Sequence, residues 1–190
     1  MGAMHLFLCA EVIGHLAFAE QCAFASAVGY DGLEFEPRAL AREPDRIPAA
    51  RRAELRRIAA DHGLQIAGFH SILYEPAGLS ITSADPAVRS RTLAFMEALC
   101  ELCVDLGGTY LVHGSANQRR LTAGSEEADR QRAVEAFAYG ARAAAAVGAT
   151  YLIEPIRPSR SDFIHTIAEA AAIAQASGNP ALRTMLDCCS

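Results

Sequence analysis

The sequence predicts an α/β fold of the (β/α)8-barrel type, incomplete, with about six β/α units in a single domain over residues 1–190. Short apolar segments alternate with long alanine-rich segments along the whole chain. The apolar segments end roughly 25 to 45 residues apart, about the length of one β/α unit in an eight-unit barrel. Five of them end in an acidic residue or a histidine, and in a parallel barrel such strand ends meet at one mouth.

The six apolar segments are the predicted strands. Three of them follow closely after Gly63, Gly107 and Gly148, where a left-handed glycine typically ends the preceding helix. The predicted strands are residues 4–10, 32–36, 65–70, 109–113, 150–154 and 183–187. Their regular spacing predicts a parallel sheet with right-handed crossovers.

The segments between the strands carry helix signals. Asp85 followed by Pro86 predicts a helix start, because Asp caps a helix and Pro suits its first turn. Ser125 followed by Glu126 and Glu127 predicts another, because acidic residues favour the positive end of the helix dipole. These helices would cover the outside of the sheet.

A doubly wound open sheet has the same alternation and is the alternative architecture. Such a sheet usually carries a glycine-rich phosphate turn after its first strand, and residues 9–15 offer only Gly14. An open sheet would also spread the polar strand ends along an edge, whereas a barrel gathers them. The barrel is therefore favoured.

Composition favours a globular protein with neither nucleic acid nor membrane as a partner. The net charge is −5, and the 17 basic residues are scattered arginines, whereas a nucleic-acid surface needs a basic cluster. The first apolar stretch is interrupted by Glu11, His15 and Glu20 and lacks a basic region before it, so a signal peptide is not expected. We expect a cytoplasmic protein with reduced cysteines, including Cys100 and Cys103 in the core.

Two carboxylates end apolar strands and are the first candidate site residues. Glu154 follows Tyr-Leu-Ile, and Asp187 follows Thr-Met-Leu. A carboxylate at the rim of a buried strand must be paired, hydrogen-bonded or bound to a metal. Metal ligation by both is favoured; the alternative is a carboxylate that caps a neighbouring helix or pairs with Arg157 or Arg160.

Further polar residues stand at other strand ends. His70 and His113 each end a predicted strand, where an imidazole binds a substrate hydroxyl, polarises a carbonyl or ligates a metal. A buried histidine with a purely structural hydrogen bond is the alternative for each. Glu34 and Glu36 share a strand face, so one inside the barrel would need a partner. The long apolar loop 71–84 is predicted to cover the mouth.

Six short motifs, taken in order, resemble those of one known family. They are LCAEV at 8–12, GYDGLE at 29–34, GLSIT at 78–82, LVHGS at 111–115, LIEPI at 152–156 and MLD at 185–187. The chain thereby resembles the sugar isomerase and epimerase superfamily of xylose isomerase-like TIM barrels. The resemblance is strongest to its ketose 3-epimerase and hydroxypyruvate isomerase-like branch.

The resemblance implies a divalent-metal-dependent isomerase or epimerase that acts on a small carbohydrate or hydroxy-ketone. It implies that Glu154 and Asp187 are ligands of Mn²⁺, Mg²⁺ or Co²⁺. It further implies that a glutamate removes a proton beside the carbonyl to give an ene-diolate, and we expect Glu154 in that catalytic role. The expected substrate-binding residues are His70, His113, Glu34 and Arg157.

The chain departs from the family pattern in three ways. The family draws a histidine and a second glutamate from a seventh and an eighth strand, which this chain lacks. Many epimerases have a substrate-binding histidine where this chain has Ser190. The residues after Glu154 include Arg157 and Arg160, so an anionic substrate is a further expectation.

Other functions stay open beside the metal-dependent one. With two β/α units lacking, we expect weak metal binding, and a truncated, non-catalytic barrel fragment is an alternative. A zinc-dependent abasic-site endonuclease is less favoured, because it needs a basic groove and a further histidine. Open strand edges in a six-unit barrel also predict a homo-oligomer, most simply a dimer.

Overall fold

A computed structural model describes residues 4–188 as a six-stranded parallel sheet with helices between successive strands. The strands are β1 (Phe7–Cys9), β2 (Gly32–Phe35), β3 (Gln65–Phe69), β4 (Tyr110–His113), β5 (Thr150–Ile153) and β6 (Leu182–Thr184). Their spatial order is their chain order, and every neighbouring pair is parallel. A doubly wound sheet would reverse its strand order at a switch point, so the predicted incomplete barrel-type fold is confirmed.

Six α-helices connect the strands. They are α1 (Phe18–Val28), α2 (Pro37–Leu40), α3 (Ala49–Asp61), α4 (Pro86–Asp105), α5 (Glu126–Val147) and α6 (Ile167–Ala176). The predicted start of α4 is confirmed, because the Asp85 carboxylate accepts a hydrogen bond from the Ala87 amide at 2.8 Å. Gly148 ends α5 in the left-handed conformation, as predicted. Within residues 4–188, no helix combines the length and apolar character needed to cross a membrane.

The main core lies between the sheet and the helices, and α5 packs closely on β5. Tyr151, Phe137 and Met96 are fully buried there. Gly140 allows this approach, because a side chain at that position would overlap Tyr151 and Met96. Each fully buried large apolar side chain contributes about 1.5–3 kcal/mol relative to exposure. This packing fixes β5, whose carboxyl end leads into Glu154.

The last strand is shorter at its carboxyl end than the predicted one. The β5–β6 ladder ends where Ile153 pairs with Thr184, and the Thr184 hydroxyl donates to the Ile153 carbonyl at 2.9 Å. Asp187 therefore lies in the segment after β6 rather than within the strand. Ser190 lies outside the described residues.

Candidate functional site

One cavity of about 420 Å³ opens at the carboxyl ends of the strands. It contains five carboxylates together with a histidine, two cysteines and an arginine. These lining residues are Glu11, Glu34, Glu36, Glu154, Asp187, His70, Cys9, Cys188 and Arg160. The structure thus brings together the predicted residues Glu34, His70, Glu154 and Asp187, which come from four different strand ends.

Glu154 occupies space that a glycine leaves open. Gly114 follows β4 and lines the same cavity. A side chain at position 114 would overlap the Glu154 carboxylate. The absence of a side chain at Gly114 is therefore a requirement for this placement of Glu154, and it explains the glycine after β4 in physical terms.

A buried arginine holds the backbone of Glu154. Both terminal nitrogens of Arg119 donate to the Glu154 carbonyl at 2.9 Å, and its Nε donates to the Ser161 hydroxyl at 3.1 Å. The side chain is 0% exposed. Burial lowers the pKa of Arg119 to about 10, and nearby Glu154 acts in the opposite direction. A buried charge with three hydrogen bonds is a rigid anchor.

Arg119 was not among the predicted site residues. It follows β4 in a short 3-10 turn, Ala116–Arg119. Arginine is almost never fully buried unless it is paired, so nothing in a single sequence separates this arginine from the surface ones. Its neighbour Arg120, for example, pairs with Asp162 and is half exposed.

Glu34 lies at the end of the cavity formed by β1 and β2. Its carboxylate accepts a hydrogen bond from the Cys9 thiol at 3.6 Å. Burial raises the pKa of Glu34, while the neighbouring His70 acts in the opposite direction. Burial also raises the pKa of the Cys9 thiol to about 12, assisted by Glu34 and Glu11. Glu34 therefore keeps its proton to a higher pH than an exposed glutamate does.

His70 faces the cavity directly after β3. Its Nε2 lies 3.0 Å from a carboxylate oxygen of Glu11, and its Nδ1 lies 3.4 Å from the Ser71 hydroxyl. Ligand atoms of Cys9, Glu11 and His70 all lie within 4.8 Å of one another. This group offers sulfur, oxygen and nitrogen donors, which sequence reasoning did not single out because its members come from separate segments.

His113 does not line the cavity, and this corrects the prediction. Its side chain is 0% exposed and lies between β4 and α5, where Nδ1 is 2.8 Å from the Tyr151 hydroxyl and the ring meets Phe137 edge-on. Successive strand residues point to opposite faces. Since Val112 and Gly114 line the cavity, His113 faces the helices. Burial accordingly lowers the pKa of His113 to about 3.

Arg157 does not line the cavity either, which corrects its expected place beside the substrate. It is exposed on the segment between β5 and α6. Arg160, three residues later, lines both this cavity and a neighbouring one of about 410 Å³. Both arginines are exposed. The conformation of an irregular segment decides which of them lines the cavity, and sequence pattern does not specify that conformation.

Solved structures of sugar epimerases share this fold. D-psicose 3-epimerase, in the presence of D-fructose, matches with a TM-score of 0.82 and 20% identity, over 97% of this chain and 63% of that one. 3-Keto-D-glucoside 4-epimerase from E. coli gives 0.78 and 17%, over 96% and 67%. L-ribulose 3-epimerase gives 0.71 and 26%, over 88% and 53%. The chain thus spans about half to two thirds of these relatives.

No curated protein sequence matches the chain. A family model does match, over residues 22–190, and its description is xylose isomerase-like TIM barrel. The matched range includes five of the six strands and the Glu154 and Asp187 positions. Because this match covers most of the chain and the strands run parallel in sequential order, the chain belongs to the family of xylose isomerase-like TIM barrels.

Proposed function

We propose that the chain moves a proton on the carbon beside the carbonyl of a small sugar or hydroxy-ketone, with a divalent metal ion as cofactor. The observation that carries this proposal is the convergence of Glu34, His70, Glu154 and Asp187 on one cavity. Proteins of the same fold that are named as ketose epimerases support the substrate class. An isomerase or epimerase is the activity that suits such a site best.

Glu154 and Asp187 are the proposed metal ligands. Carboxylate oxygens are the donors that Mg²⁺ and Mn²⁺ prefer, and both residues line the cavity. The space beside Gly114 fits the Glu154 carboxylate, so the donor set suits such an ion. When bound, a divalent cation would polarise the substrate carbonyl and stabilise the negative charge that develops on it.

The remaining steps belong to side chains of the chain itself. The Glu154 carboxylate takes the proton from the carbon beside the carbonyl, and the electron pair of that bond moves towards the carbonyl oxygen. Glu34, whose pKa is raised by burial, forms a hydrogen bond with a substrate hydroxyl. His70, oriented by Glu11 at 3.0 Å, binds a second hydroxyl. Arg119 holds the backbone from which Glu154 projects.

Proton exchange with solvent tests this proposal. The chain is incubated with D-fructose and Mn²⁺ in D₂O, and NMR follows deuterium incorporation beside the carbonyl. We expect incorporation that depends on Mn²⁺ and falls about 100-fold or more in Glu154→Gln, because general base catalysis is typically worth about 100- to 10,000-fold. Glu54→Gln, on the exposed face of α3, is the matched control and should exchange as the unchanged chain does.

Two outcomes count against the proposal. Proton exchange that persists in Glu154→Gln would show that Glu154 is not the general base. Mn²⁺ binding by calorimetry without any exchange would instead favour the non-catalytic alternative. The cytoplasmic location and the dimer that we expect from the sequence stay predictions.

A further inference from the structure

Arg160 stands where two cavities meet. The main cavity, about 420 Å³, and its neighbour, about 410 Å³, share Glu36, Ser71, Gly114 and Arg160 in their walls. A ligand that reaches from the carboxylate cluster into the second cavity would therefore pass this arginine. Of the four shared residues, Arg160 is the only cation.

The charge of Arg160 has no partner among residues 4–188. Its guanidinium forms neither a hydrogen bond nor an ion pair with another described side chain. The other two arginines of the second cavity differ in this respect: Arg38 donates to Glu36 at 2.6 Å, and Arg120 donates to Asp162 at 3.0 Å. Arg160 is thus the cation in these walls that remains available to a ligand.

The balance of charge differs between the two cavities. Five carboxylates and Arg160 line the first, whereas three arginines and one carboxylate, Glu36, line the second. Anions bind most strongly where a guanidinium offers two donors in a fixed fork, and carboxylate and phosphate match that fork. A neutral sugar would use the carboxylate end alone. A substrate with a hydroxy-ketone at one end and an anionic group at the other would complement both ends.

We propose that the natural substrate carries a carboxylate or phosphate group and that Arg160 binds it. This inference rests on the proposed function, because it names the substrate class of the same site. Of the two arginines that the sequence suggested for an anionic substrate, Arg157 and Arg160, Arg160 is the one that lines both cavities, and the second cavity becomes the anion subsite. The preference for an anionic substrate is electrostatic, so added salt weakens it.

Binding measurements on the Mn²⁺-loaded chain test the inference. Calorimetry compares D-fructose, D-fructose 6-phosphate and D-fructuronate, which differ in the charge at one end. We expect at least one anionic ligand to bind about 10-fold or more tightly than D-fructose, since hydrogen bonds to charged groups are the strong ones. Arg160→Gln should abolish this preference, and Arg160→Lys should keep part of it. The anionic ligand that binds more tightly shows whether the subsite prefers a phosphate or a carboxylate group.

Arg42→Gln is the matched control. Arg42 is also exposed, lines neither cavity and has no side-chain partner among the described residues, so its loss should leave the preference intact. Equal or tighter binding of D-fructose, no binding of any of the three, or an unchanged preference in Arg160→Gln would each overturn the inference. Thermal unfolding confirms that Arg160→Gln is folded.

The D₂O exchange assay separates this inference from the proposed function. Anion binding through Arg160 without proton exchange would reject the proposed function and leave the subsite standing. Exchange on D-fructose with no anion preference would reject the subsite and leave the proposed function standing.

Discussion

His70 and His113 look alike in the sequence and differ completely in the structure. Each comes at the carboxyl end of a strand, yet His70 faces the cavity beside Glu11, whereas His113 is buried against Tyr151 and Phe137. One position along a strand reverses the face to which a side chain points. The comparison teaches that a strand-end residue is a site residue only if it shares a face with the cavity, as Gly114 does.

The largest expected effect of the difference between the two histidines is on the stability of the chain when each is replaced by alanine. His113→Ala removes a fully buried ring and leaves the Tyr151 hydroxyl without its partner. We expect the free energy of unfolding to fall by about 2–4 kcal/mol, from the lost packing and the unpaired hydroxyl. Urea unfolding measures it. His70→Ala is the control. It should lower the free energy of unfolding by less than about 1 kcal/mol, since the His70 side chain is only partly buried. A larger loss of stability in His70→Ala than in His113→Ala would contradict the assignment of His113 as the structural histidine.

The second test is the pH dependence of stability. The pKa of His113 is about 3 in the folded chain and about 6.5 when unfolded, so below pH 6.5 the unfolded chain binds a proton that the folded chain does not. Stability is therefore lost as the pH falls from about 6.5 towards 3. We expect a loss of about 2 kcal/mol between pH 7 and pH 5 from this residue. Chemical unfolding at both pH values measures it.

His113→Gln serves as the control for the pH dependence. Glutamine does not titrate, and its amide can still bond the Tyr151 hydroxyl. The difference in stability between pH 7 and pH 5 should therefore shrink by about 2 kcal/mol in this variant. If both proteins lose stability equally, another group is responsible.

The smallest expected effect concerns His70 and the proposed reaction. His70→Gln retains a hydrogen-bonding side chain but loses the imidazole beside Glu11. We expect kcat/KM for the exchange of D-fructose to fall about 10-fold, equivalent to about 1.4 kcal/mol in transition-state binding. Thermal unfolding should remain unchanged. A drop in stability without a drop in exchange would make His70 the structural histidine.

Much of the fold could be predicted, because the spacing of the apolar segments and the residues that start and end helices determine local structure. Gly148 ends a helix through its left-handed backbone, and Asp85 starts one through its side-chain hydrogen bond to the Ala87 amide; the structure confirms both. Which face a strand residue occupies was harder to predict. It depends on the exact phase of the strand, so His113 was assigned to the wrong side.

The remaining site features depend on irregular segments and on burial. The path between β5 and α6 brings Arg160 to the cavity wall and leaves Arg157 away from it, and no periodic pattern encodes such a path. Arg119 is recognisable only once its burial is known. By contrast, the place of Glu154 and Asp187 in the cavity wall could be predicted, because a carboxylate that follows a buried strand needs a partner; metal ligation by the two stays a prediction.

The Arg119 anchor has a consequence for how such a site changes over time. Arg119 binds the Glu154 carbonyl at one end of the segment 155–160 and the Ser161 hydroxyl just beyond its other end. Residues 157–160 between these two attachment points are exposed, whereas Ile156 is buried, so the exposed positions can be exchanged with little effect on the backbone of Glu154. The side chain that position 160 presents to the two cavities can therefore change over time while the Glu154 backbone stays in place.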